Sequence, residues 1–310
     1  KKDSFDLSSC DFISELKDSQ LRKGKLVSGD IVLTTRGTIG SVAYLHGKIE
    51  YKNIRINSGM VIIRTGDSIN EQYIYQILKS SAAKSQFTMF SSGAAQPQLP
   101  IKDLKRISFP FPKIGEQKKI AAILTAYDDL IENNRQRISL LEKMAEEIYR
   151  EWFVRLRFPG HENTPVEKGV PQGWKRIVGH ELFDTIKGRS YASTEISDSP
   201  TLDDEEHPFI TLKSINRGGG YRREGLKYYR GKHSANQIVS AGDVVMAVTD
   251  MTQNRAIVGQ VARIPNLEEC QAAIISLDLA CLRPKIWSKN FLYSFCRFSG
   301  FASHLAQFAN

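Results

Sequence analysis

Long apolar runs are missing from this 310-residue sequence: no uninterrupted stretch approaches the roughly 20 residues that a membrane-spanning helix needs. Lys1-Lys2-Asp3 opens it without the pattern of a secretory signal, so a cytoplasmic protein is expected. Cysteine is scarce. Cys10, Cys270, Cys281 and Cys296 form no CxxC pair and have no histidines at zinc-finger spacing, which argues against a structural metal. Also absent are a GxxxxGK phosphate loop, an HExxH helix, a GxSxG elbow, and the Asn-Pro-Pro-Tyr or Asp-Pro-Pro-Tyr run of amino-methyltransferases. Gly37-x-x-Gly40 is too short for a nucleotide cradle, the six histidines are scattered, and Asp203-Asp204 sits in an acidic run that reads as solvated. We therefore assign no catalytic residue, cofactor or metal to the chain itself and expect it not to be an enzyme. Binding of S-adenosylmethionine to the chain alone would contradict that expectation.

What is present is the composition of a folded protein, 41% apolar and 25% charged, enough for about two domains with real cores. The net charge of +9 is unevenly spread. Lysine and arginine outnumber aspartate and glutamate 17 to 10 in residues 1–113, balance them 8 to 8 in 114–160, and stand 18 to 16 in 161–310. In the last part Asp203, Asp204, Glu205 and Glu206 stand together. Lys213, Arg217, Arg222, Arg223, Lys227, Arg230 and Lys232 crowd into twenty residues opposed only by Glu224. Segregated positive charge of this kind suits a polyanionic partner.

The stretch from Ile114 to Arg157 reads as one long amphipathic helix. Ile120, Leu124, Tyr127, Ile131, Ile138, Leu141, Ala145, Ile148 and Trp152 recur at helical spacing, while Lys118, Asp128, Glu132, Arg135, Glu142 and Glu146 take the other faces. Glu116 in the first turn and Arg155 with Arg157 in the last match the helix dipole, and Pro159-Gly160 ends the run. A long core helix or half of an antiparallel coiled coil accounts for the stripe, and either needs a partner surface. Asn134 interrupts the seam as a register-setter would, and Tyr127 and Trp152 are bulky for a tight two-stranded coil.

Residues 1–113 read as an α+β (mixed α/β) unit, with strands at Ile31–Thr35 and Met60–Ile63, a helix capped by Asn70, and an extended, proline-punctuated approach from Pro97 to Pro112. Residues 114–158 are the helix, 159–173 a linker, and 174–310 a second unit that repeats the first. Gly242-Asp243-Val244-Val245-Met246 matches Gly29-Asp30-Ile31-Val32-Leu33 at an offset of 213, and Ile275–Leu282 resembles Ile56–Ile63 at an offset of 219. The first copy lacks a counterpart of the residues after Trp174 and the second stops where the first turns toward its helix, so a fragment is expected.

Four segments together carry a resemblance: Gln98-Leu99-Pro100, Ile107-Ser108-Phe109-Pro110-Phe111-Pro112, Glu116-Gln117-Lys118-Lys119-Ile120-Ala121 running into the helix, and Pro171-Gln172-Gly173-Trp174. They resemble the specificity subunit of type I restriction-modification systems over nearly the whole chain. The resemblance implies two target-recognition domains, each reading half of a split double-stranded DNA sequence. It also implies a conserved-region helix that receives methyltransferase (modification) subunits through Ile120, Leu124, Tyr127, Ile131, Ile138, Leu141, Ile148 and Trp152. S-adenosylmethionine, ATP and magnesium would then sit on the modification and restriction (motor) subunits. The alternative is a DNA-binding repressor or architectural protein that dimerises through the helix without enzyme partners.

Candidate DNA contacts follow from charge and turn chemistry. In the first unit they are Lys23, Lys25, Arg36, Lys48, Lys52 and Arg55, with Arg36 in the small-residue turn Thr34-Thr35-Arg36-Gly37-Thr38-Ile39-Gly40. In the second they are Lys213, Arg217, Tyr221, Arg222, Arg223, Lys227, Arg230 and Lys232, around a Gly218-Gly219-Gly220 run read as pliable. Thr252, Gln253, Asn254 and Arg255, in the turn equivalent to that of Arg36, form a polar set able to read bases. A plain β-turn or a solvated loop explains each of these clusters as well.

Overall fold

The structure, a computed structural model, describes residues 5, 7, 10–46, 51, 53–93, 97–200, 206–250, 256–267 and 272–308. It contains two compact units, Lys1–Arg137 and Ile138–Asn310, whose boundary falls within one long helix.

The first unit runs α1 (Glu15–Gln20), β1 (Ile31–Thr34), β2 (Val42–Tyr44), β3 (Met60–Ile63), α2 (Glu71–Lys79), α3 (Ser81–Phe90), α4 (Ile101–Leu104) and the start of α5 (Ile114–Tyr149). Its sheet has the order β2-β1-β3, all antiparallel. The β-branched run of β1 puts Ile31 and Leu33 into a core with Leu78, Phe87 and Leu99, and Val32 into a second cluster with Leu26 and Leu45. That is the two-sided burial a central strand requires. Asn70 caps α2 by accepting from the Tyr73 amide at 2.9 Å. The extended approach expected before the helix is interrupted by the short α4, which follows Pro100.

The second unit adds β4 (Val166–Glu167), β5 (Val170–Pro171), α6 (Gly179–Leu182), β6 (Phe183–Lys187), β7 (Ile196–Ser197), β8 (His207–Ile210), β9 (Lys227–Tyr229), β10 (Ile238–Ser240), β11 (Val244–Ala247), β12 (Val261–Arg263), β13 (Ala272–Ile275), β14 (Leu279–Pro284), α7 (Lys289–Phe298) and α8 (Phe301–Phe308). Two sheets, β12-β11-β14-β6 and β10-β13-β8-β9-β7, share a core of Ile210, Val239, Val245, Ile275 and Cys281. The residues read as a linker form a 3-10 turn and the β4-β5 hairpin.

The internal repeat holds residue by residue. Val32 pairs with Ala43 and Ile62, and Val245, offset by 213, pairs with Ala262 and Cys281. α7 and α8 stand where α2 and α3 stand, with Ser288 capping α7 as Asn70 caps α2. One difference is clear: β14 lies between β11 and β6, whereas β3 pairs with β1 alone among the described residues.

Two side chains fasten the start of α5 to the first unit. Buried Gln117 accepts from the Asn70 amide and donates to the Pro112 carbonyl, each at 2.9 Å, and Asp128 accepts from Gln76 and Lys79. The regular helix stops at Tyr149, short of the Arg157 expected from periodicity. A π turn follows over Arg150–Val154, and Leu156 takes a left-handed φ of 57°. The change of pitch aims Phe153 at Tyr149, Trp174 and Phe291, an aromatic cluster that the 3.6-residue pattern does not foresee.

Candidate nucleic-acid interface

Each unit frames its central strand with turns built in the same way. In the first, the Asp30 carboxylate accepts from the Val27 amide at 2.8 Å, and in the second Asp243 accepts from Ser240 at 2.9 Å. These side-chain turns start β1 and β11 and explain the Gly-Asp signature of both copies. At the far end Gly40 donates to the Thr34 carbonyl at 3.0 Å, and Gly259 donates to Ala247 at 2.8 Å. Both glycines are left-handed, and a Cβ on either would lie 2.8 Å from a packed helix atom, Phe87 Cδ2 or Ala302 Cα. The glycines therefore fix each turn against its helix layer.

In the first unit the closed turn exposes Arg36. Its amide and that of Thr35 donate to the Gly59 carbonyl, and it forms a bridge with Gln98, which also bridges Ser92. Asn57, Ser92 and Gln98 are exposed around this turn. An arginine beside amides and a hydroxyl is a donor and acceptor set that can distinguish guanine and adenine edges in a major groove. Asn57, Ser92 and Gln98 were not foreseen as contacts, since only the fold brings them to Arg36. In the second unit Thr249 donates to Asp278 at 2.8 Å, and exposed Arg189 is held beside that turn by backbone bonds to Ile275 and Leu277. Arg189 was also missed, because it arrives through the distant β6-β14 pairing. Thr252, Gln253, Asn254 and Arg255, like Lys48 and Lys52, lie outside the described residues.

The other candidate cations differ in what holds them. Arg55 bonds the Asp18 carboxylate and the carbonyls of Asp18, Leu21 and Lys23, so it serves the fold of the first unit rather than a contact surface. Lys25 pairs with the same carboxylate at 3.0 Å, while Lys23 is exposed. In the second unit Lys227 pairs with Asp198 and Arg230 with buried Glu206. Lys213, Arg217, Arg222, Arg223 and Lys232 are exposed, and Arg222 makes a 3.8 Å surface pair with Glu224. Tyr221 turns inward against the core, and burial pushes its phenol up to about 12, so it supports the loop instead of reaching out of it. Nor is the glycine run pliable. Gly219 and Gly220 are buried, left-handed, and bonded into a tight hairpin in which Ile215 faces Tyr221.

Residues 14–143, which include the Arg36 turn and most of α5, match the family of the type I restriction modification DNA specificity domain. The specificity subunit of the type I restriction enzyme MjaIX from Methanocaldococcus jannaschii is 30% identical over 194 residues, 61% of this chain and 43% of that protein. The putative MjaX specificity subunit of the same organism is 27% identical over 217 residues, 67% of this chain and 50% of that one. The chain is similar to type I restriction enzyme specificity subunits. It spans about half the length of these curated relatives. A solved type I restriction-modification S subunit from M. genitalium shares its fold, with a TM-score of 0.50 at 16% identity over 92% of this chain and 67% of that one.

On this chain the predicted apolar stripe of α5 is uncovered. Ile120, Leu124, Tyr127, Ile131, Ile138, Leu141, Ile148 and Trp152 are all 40% or more exposed, as are Leu130, Leu140 and Met144 beside them. Ala121, Gln117 and Tyr149, by contrast, are buried against their own units. An exposed apolar surface this long is unfavourable in water and marks a contact surface. No helix of the described residues is long and apolar enough to cross a membrane.

Proposed function

We propose that the chain is a non-catalytic reader of double-stranded DNA within a type I restriction-modification complex. Each unit reads one half of a bipartite target, and α5 docks modification subunits through its apolar stripe. Methyl transfer from S-adenosylmethionine, and ATP- and magnesium-dependent steps, belong to the modification and restriction subunits. The observation that carries this reading is the repeat itself: two copies of one strand framework, each with a glycine closing the turn after its central strand, and with Arg36 exposed in the first turn and Thr249 exposed in the second. A bipartite sequence needs two similar readers, and phosphate-binding cations beside base-reading groups give each reader affinity and specificity. Exchange of residues 174–310 for the matching domain of another specificity subunit tests it in a cell carrying the complete system. One half of the methylated sequence is expected to change while the other half and the spacer persist. A change in both halves, or in neither, refutes the two-reader assignment. Copurification without any methyltransferase would favour a stand-alone DNA-binding protein.

A further inference from the structure

The Arg217–Arg223 hairpin sits in a slot whose far wall is a charged pair that neither the repeat nor the cation count predicts. Gly220 donates to the Val261 carbonyl of β12 at 2.8 Å, and the Asn216 amide donates to the Gly220 carbonyl at 3.0 Å. On the other side stands Arg297 of α7, its side chain only 12% exposed. Its Nη1 donates to the Tyr293 hydroxyl at 2.6 Å, and its Nη2 pairs with Glu142 Oε2 of α5 at 3.3 Å. A Cβ on Gly220 would lie 2.8 Å from Arg297 Nη1 and 3.6 Å from Glu142 Oε1. The hairpin backbone therefore rests against the guanidinium with no room for a side chain. The Tyr293 and Phe298 rings flank that guanidinium at 5.7 and 5.6 Å.

A fork so placed resists sliding. It has fixed donors to two partners and aromatic groups beside it, so its position sets that of whatever leans on it. Arg217 in the turn and Arg222 on the arm after it are both exposed on the hairpin that leans on it. We infer that Arg297 and Glu142 are positioning residues for DNA binding, holding the Arg217–Arg222 hairpin at a fixed place relative to the second half of α5 so that its cations meet the phosphate backbone in register. This rests on the proposed reading of that hairpin as a DNA contact. Neither residue touches DNA. Glu142 is a carboxylate whose removal is expected to weaken binding to a polyanion, the reverse of what its charge alone would do.

That reversal of sign is the test. Affinity for a 30-base-pair mixed-sequence duplex is measured against salt for the full chain and for Glu142→Gln, Arg297→Lys and Arg217→Gln, with thermal melts run alongside. Each lost phosphate contact lowers the slope of log affinity against log salt by about 0.9 and costs on the order of tenfold in affinity near 0.1 M salt. Arg217→Gln is expected to show that loss. Glu142→Gln, which removes a negative charge, and Arg297→Lys, which keeps a positive one, are expected to show the same loss. Glu142→Gln lies 45% exposed and leaves the fold intact, so it decides even if Arg297→Lys unfolds. If Arg217→Gln flattens the slope while Glu142→Gln binds as tightly as the parent or tighter, the positioning role is wrong and the hairpin contact stands. If Arg217→Gln leaves the slope unchanged, the hairpin is not a DNA contact and both claims fall.

Discussion

Gly40 and Gly37 share a turn and a left-handed backbone, with φ of 83° and 71°, yet they should respond differently to the same methyl group. A left-handed conformation costs an L-residue about 1–2 kcal/mol, and this is all that Gly37→Ala should cost, since nothing lies within 4 Å of the added Cβ. At Gly40 the new Cβ would also meet Phe87 Cδ2 at 2.8 Å. Phe87 is 2% exposed, packed among Leu33, Leu99 and Ala83, so its ring cannot swing aside without disturbing the core. Overpacking adds roughly 1–3 kcal/mol, for a total of about 2–5 kcal/mol. At about 2–4 °C per kcal/mol, Gly40→Ala should lower the melting temperature of the first unit roughly twice as far as Gly37→Ala. Trp152, Trp174 and Trp287 all lie in the second unit, so the far-UV circular dichroism transition should move while tryptophan fluorescence serves as an internal control. Gly259→Ala should move the tryptophan signal instead, and further, because the atoms met there include the Ala302 backbone at 2.8 and 3.1 Å. Equal shifts for Gly37→Ala and Gly40→Ala would refute the claim that the turn is fixed by close packing on α3.

Other outcomes follow from the same geometry. Replacing Ile138 and Leu141, 58% and 60% exposed, by aspartate should leave the chain's own stability within about 0.5 kcal/mol of the parent but abolish copurification with modification subunits; parent-level recovery of the complex would contradict a docking role. Burial raises the Asp30 carboxyl, but the Arg64 guanidinium and the Val27 amide outweigh it and hold it below the ordinary value of 3.8. A folded pKa below the unfolded one contributes stability above the unfolded value that is lost as pH falls through the folded one, so Asp30→Asn should flatten acid unfolding of the first unit. An unchanged acid limb would remove Asp30 from that account. Amides of β3, paired on one side and half-buried, should exchange with deuterium faster than those of β14, paired on both; equal protection would mean that the β3 edge is covered.

The features legible in the sequence were those with local or periodic causes. The Gly-Asp pairs announce themselves because the aspartate bonds an amide three residues before it, and the helix stripe because its period is 3.6 residues. The fate of each cation was not legible, because its partner is remote: Arg55 meets Asp18, and Arg230 meets Glu206, across 37 and 24 residues of chain. A glycine run gives no sign of whether it is loose or packed, and here Val261 and Arg297 make it packed. Likewise Asn57, Ser92 and Gln98 carry no motif; they become a set only when β1, the loop before β3 and the segment after α3 converge on Arg36.

The two turns differ in length. From Thr34 to Gly40 the chain takes six steps and from Ala247 to Gly259 twelve, yet the same glycine-to-carbonyl bond closes both, at 3.0 and 2.8 Å. Six additional residues are thus accommodated with the strand pairing before and after them unchanged, because loop closure costs little more as length doubles. The exposed residues inside the first closure, Arg36, Gly37 and Thr38, make no rung of the β1-β2 or β1-β3 ladder. Changes at those exposed positions can therefore alter the donors and acceptors that the turn presents without altering the strand framework. The constraint falls instead on the closing glycines, where any side chain would meet the helix layer.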